Sequence, residues 1–165
     1  MALYVAQNKV EMTTLGRLAG GVIAYSVTDA AWIFTIATDE GVSHWTALTG
    51  DRKFELRTLI ERDARLVAVL PEPWSIELIP DTITDGTTLR IAKGQAFRSA
   101  EGFGFAVMPI GAGDNEAALA VTIGGTITEW GYRATVAFIS KWRIVTGDQK
   151  DPFVICEVDS PGWGS

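Results

Sequence analysis

The sequence predicts a mainly β protein: an antiparallel β-sandwich or jelly-roll-like domain with one short amphipathic helix in its N-terminal part. Three observations carry this expectation. Residues 130–145, WGYRATVAFISKWRIV, place Trp130, Tyr132, Ala134, Val136, Phe138, Trp142 and Ile144 at every second position, interrupted only by Ser140. A pleated strand gathers such residues on one face, whereas a helix would scatter them around its circumference. The chain also carries 17 glycines, several paired or in turn contexts, which suits strands joined by tight turns rather than long helices. Finally, short apolar runs recur between residues 74 and 158 at the spacing of sandwiches, jelly rolls and barrels.

Taken in order, ALYVAQNKV (residues 2–10) reads as a short strand or an extended arm, and TTLGRLAGG is too rich in glycine for a helix. VIAYSV is a short strand. WIFTIA and VSHWTAL then form a hairpin around TDEG, with Thr38–Gly41 supplying the turn and Trp32 and Trp45 available as cross-strand partners. The period changes in DRKFELRTLIERDA, where Leu56, Leu59, Ile60 and Ala64 fall at helical spacing behind Asp51 as N-cap. This predicts an amphipathic helix of about three turns over residues 51–64.

LVAVL reads as a buried strand, and PEPW after it forbids ladder bonding and stiffens the chain. Two units follow from that boundary: an arm, hairpin and helix over residues 1–70, and a β domain over residues 74–165. The alternative is one fused domain spanning residues 1–165. Beyond the prolines the expected strands are SIELI, LRIA, QAFR, FGFAVMPI, ALAVTI, the long strand and FVICEV. Gly124-Gly125 is a two-residue turn, and PDTITDGT and GAGDNE are loops. At about 3.3 Å per residue the long strand would reach roughly 50 Å, far beyond the usual five or six residues, so it should bend or split near Gly131 or Ser140.

Composition narrows the functional classes. A net charge of -6 argues against a partner held through phosphates, and the basic residues between Arg52 and Arg65 are interleaved with Glu55, Glu61 and Asp63. The N-terminus lacks the basic region and apolar length of a signal peptide, and no stretch reaches the ~18 apolar residues of a bilayer span. A soluble protein made in a cytoplasm, without nucleic-acid or membrane partners, is the expectation. The single Cys156, in FVICEV, cannot form an internal disulfide and reads as a small buried hydrophobe.

Nothing in the chain forms a catalytic signature. His44 is the only histidine, which leaves one possible general base and no multi-imidazole zinc site. The carboxylate pairs Asp39/Glu40, Asp81/Asp85 and Asp114/Glu116 all fall in expected turns, where such side chains bond nearby amides. Gly111 and Gly113 lack the third glycine and the helix of a dinucleotide fingerprint. No cofactor, metal ligand or catalytic residue is assigned. Six tryptophans remain, of which Trp74, beside the prolines, and Trp163, in the tail, are the two that pattern does not place inside. The odd face of the long strand, with Thr135, Ala137, Ile139 and Val145, is only half polar. Trp74, Ile139 and Trp163 are therefore the candidate interface or ligand contacts.

The stretch AAWIFTIATDEGVSHWTALTGD (residues 30–51), a Trp-flanked hairpin closing on a Gly-Asp turn, precedes a Gly- and Thr-rich β region without catalytic signatures. In this style the chain resembles virion structural proteins of tailed bacteriophages, of the head-decoration or tail and fibre type. The absence of shaft repeats favours a compact decoration or connector. The resemblance implies a non-enzymatic protein located in the virion, contacting other virion proteins and itself as a homo-oligomer, with a trimer favoured. The segment Ala2–Val10 is a second candidate contact. A carbohydrate-binding module using exposed aromatics for glycans is the alternative, and a small β-fold hydrolase comes third.

Overall fold

The computed structural model describes residues 11–37, 43–59, 64–70, 73–86, 91–100, 102–112, 118–128, 136–147 and 150–160. These residues are mainly β. The strands begin with β1 (Glu11–Thr14), β2 (Ile23–Ser26), β3 (Ala31–Ala37), β4 (Ser43–Ala47) and β5 (Glu55–Thr58). They continue with β6 (Leu66–Val69), β7 (Trp74–Leu78), β8 (Ile83–Gly86), β9 (Ala96–Ser99) and β10 (Gly102–Pro109). The last are β11 (Leu119–Thr122), β12 (Ile127–Thr128), β13 (Val136–Ile139), β14 (Lys141–Thr146) and β15 (Phe153–Asp159).

The main sheet runs β1-β6-β2-β3-β4-β5-β10-β9-β13-β8, with β11 alongside β10 and β12 alongside β11. A second sheet runs β15-β14-β7. Among the described strand pairs only β5–β10 is parallel, through Met108 opposite Glu55 and Pro109 opposite Leu56. That pairing carries the main sheet across the proline-marked boundary. The largest core cluster likewise draws Ile23, Trp32 and Phe34 together with Phe105, Trp142 and Ile155.

The long alternating stretch divides at Ser140, as its length requires; residues 130–135 lie outside the described residues. β13 joins the main sheet between β9 and β8, while β14 forms the centre of the second sheet. The alternation survives the break: Val136, Phe138, Trp142 and Ile144 are all buried. The odd face does not stay outside, however. Ile139 is 1% exposed, packed in the same cluster as Trp142. Its expected role as an accessible contact is thereby corrected: at the sheet-to-sheet crossing both faces of the chain meet apolar neighbours.

The helix expected over residues 51–64 is not found over the described part, which holds turn residues and β5. Phe54 adopts a left-handed backbone (φ 62) that breaks any helix passing through it, and its ring is buried against Phe105 and Trp142. After it the chain extends, so Leu56 packs on the large cluster while Leu59 packs on a second cluster formed by Leu15, Ala24, Ile33, Trp45, Ala47 and Val67. A helix would have put Leu56 and Leu59 on one face. The only helical pieces among the described residues are 3-10 turns at Leu15–Arg17 and Pro80–Thr82.

The hairpin signal from 32 to 48 does give antiparallel β3 and β4, but Trp32 and Trp45 are not partners. Trp45 lies opposite Thr35, and the two indoles point to opposite faces, Trp32 into the large cluster and Trp45 into the second. Because both faces of β3 are covered, residues 31–36 are all buried. Trp32 meets its β2 register partner Tyr25 edge to face at 5.4 Å.

Gly124-Gly125 joins β11 to β12 as expected, though through three residues. Thr122 pairs with Thr126, the Gly125 amide donates to the Thr122 carbonyl at 2.9 Å, and Gly125 alone of the two glycines takes a positive φ of 80. The turn is thus closed by a left-handed glycine, as three-residue hairpin loops commonly are. The segment read as the loop PDTITDGT contains β8, and of LRIA the described Ile91 and Ala92 lie outside any strand.

Candidate functional site

β4 holds His44 opposite Ile36 and Thr58. The imidazole is half-buried, and its Nδ1 has no hydrogen-bond partner among the described residues. A general base needs an orienting acceptor on one nitrogen and a proton donor within about 3 Å of the other, and Nδ1 has no such partner among the described residues. Asp81, in a 3-10 turn, and Asp85, on β8, are both exposed. Asp39, Glu40, Asp114 and Glu116 lie outside the described residues. Among the described residues no group of three His, Cys, Asp or Glu side chains could hold a metal ion.

Cys156, on β15, faces the large core cluster from the second sheet, and burial pushes its thiol up to about 11 from the usual 9.0, so almost no thiolate forms near neutrality. Gly111 follows β10 with a φ of 78, as a turn glycine, and Gly113 is outside the described residues.

The tryptophans are mostly structural. Trp142 stacks on Phe105 at 5.6 Å and donates from Nε1 to the Gly94 carbonyl at 2.9 Å. Trp45 has the guanidiniums of Arg57 and Arg65 each 5.2 Å from its ring centroid. Both arginines also meet carboxylates, Arg57 with Glu55 at 3.6 Å and Arg65 with Asp29 at 3.3 Å. Trp74, a candidate contact, begins β7 half-buried, its ring set edge-on against Phe34 at 6.1 Å, so it serves the core first. Trp130 and the other tryptophan candidate, Trp163, lie outside the described residues.

The outer face of the second sheet is a ladder of compensated charge. Lys141 pairs with Asp159 at 3.1 Å, and Arg143 bonds Glu77 and approaches Glu157 at 3.8 Å. The Glu77 hydrogen bond leads the causes that raise the Arg143 pKa further. A shallow groove of about 240 Å³ runs beside Ile79, Lys141, Arg143, Glu157 and Asp159. With two cations answered by three carboxylates, the ladder carries an excess of one negative charge, which does not favour an anion, and each of its charges already has an opposite partner.

Among the described residues, exposed apolar side chains gather on one part of the main sheet. On the main sheet, Tyr25 of β2 lies opposite both Trp32 of β3 and Ala68 of β6, and Ala68 lies opposite Met12 of β1. Paired residues share a face, and so do residues two apart on one strand, so Met12, Leu66 and Ala68 continue the face that forms the large core cluster. Val27 extends that face beyond β2, its amide donating to the Leu66 carbonyl at 3.2 Å. The core covers Ile23 and Leu70 at one end of this face. At the other, Met12 is 47% exposed, Leu66 47% and Val27 53%. At that end the apolar inner face of the sheet is partly open among the described residues.

Sequence reasoning missed these three residues. The period-2 pattern in RLVAVL and VIAYSV identifies the face of Leu66 and Val27 as inward, and Met12 joins it only through its pairing with Ala68, but which end of that face stays exposed depends on where the second sheet stops.

No family model matches the chain, and no curated protein or solved structure is significantly similar to it. Among the described residues no helix is long and apolar enough to cross a membrane.

Proposed function

We propose that this chain is a non-enzymatic assembly protein that associates with copies of itself, of the kind that builds tailed-phage virions as a head decoration or tail-associated component. The observation that carries this reading is the uncovered strip of Met12, Val27 and Leu66 on the core-facing side of the main sheet. Apolar side chains gathered on one face at a sheet edge, on a chain of net charge -6, favour burial against a partner. In the chain, the segment Ala2–Val10, the other contact expected from the sequence, directly precedes Glu11, the first residue of the strip's outermost strand.

The finer architecture belongs to the same proposal. We read the two sheets as layers of a sandwich, because the large cluster joins inward residues of β3 and β10 to Trp142, Ile144, Ile155 and Val158 of the second sheet. The virion setting and the trimer rest on the resemblance of residues 30–51. Native mass in solution tests the core of the reading: a homo-oligomer at micromolar concentration is expected, and a monomer would overturn it.

A further inference from the structure

We draw no further inference here: the strongest candidate, the apolar strip of Met12, Val27 and Leu66 at the β1 edge of the main sheet, already carries the proposed self-association, and nothing in the structure shows which surface covers it.

Discussion

The Trp142 indole N–H donates to the carbonyl of Gly94 at 2.9 Å, a buried bond that ties the central strand of the second sheet to the turn leading into β9 of the main sheet. Gly94 is in turn confined: it has a φ of 81, and a Cβ there would come within 2.9 Å of the Phe54 ring. Replacing Trp142 with Phe keeps most of the stacking but strands the carbonyl, and should cost about 1 to 3 kcal/mol. Denaturant unfolding reads this as a lower midpoint at unchanged slope. A midpoint equal to the wild type would show that the bond contributes nothing.

The three-residue form of the β11–β12 turn separates two adjacent glycines. A Cβ on Gly125 would sit 2.1 Å from the Gly21 amide nitrogen, with a φ of 80 adding its own strain, whereas the nearest atom to a Cβ on Gly124 is 3.7 Å away. Gly125→Ala should therefore lose about 3 kcal/mol or more, and Gly124→Ala should stay within about 0.5 kcal/mol of the wild type. Gly147 provides the intermediate case, because its φ is 90 but nothing lies within 4 Å. Its alanine variant should lose about 1 to 2 kcal/mol from backbone strain alone. Equal losses at 124 and 125 would contradict both the turn geometry and its close approach to Gly21.

Much of the β framework was legible because period-2 burial survives tertiary context: β2, β3, β4, β6, β7, β10, β11 and β15 fall on runs whose alternation or apolar length announces them. The helix reading of 51–64 failed for a local reason. Phe54 and Leu56 are two apart, Leu56 and Leu59 three apart, and the choice between those periods was made by Phe54 turning left-handed to fill the space beside Trp142. Ile139 was misplaced because an alternating strand that passes from one sheet to the other buries both its faces at the crossing. The exposed strip was illegible for the converse reason, since its residues follow the inward pattern and only the extent of the covering sheet leaves them open.

Ile139→Glu distinguishes core from contact surface directly. Ile139 faces the large cluster at 1% exposure, so a carboxylate there has no solvent and no partner and should cost about 4 kcal/mol. Circular dichroism melts of the variant should show a large drop in midpoint. A variant that melts like the wild type yet sediments as a smaller species would put Ile139 back at an interface.

The raised pKa of Cys156 predicts an alkaline loss of stability. A thiol at about 11 in the fold and 9.0 when unfolded keeps its proton more tightly in the native state. Its stabilising contribution is complete below pH 9 and disappears as the pH rises towards about 11, a loss of about 3 kcal/mol across that window. Cys156→Ala should lack this component, so its stability should fall less steeply than the wild type's between pH 9 and 11. Parallel pH profiles for the two proteins would contradict the burial of the thiol.

The most direct test of self-association through the main-sheet edge is sedimentation velocity at micromolar concentration on the wild type and on Leu66→Asp, with thermal melts to confirm that the variant folds. Leu66 is 47% exposed, so an aspartate there can stay hydrated in the single chain but not inside a contact. The predicted result is an oligomeric wild type and a folded variant whose dissociation constant rises at least tenfold, shifting it towards monomer. A monomeric wild type would contradict self-association itself, and an unchanged oligomer in the folded variant would contradict the strip of Met12, Val27 and Leu66 as its contact.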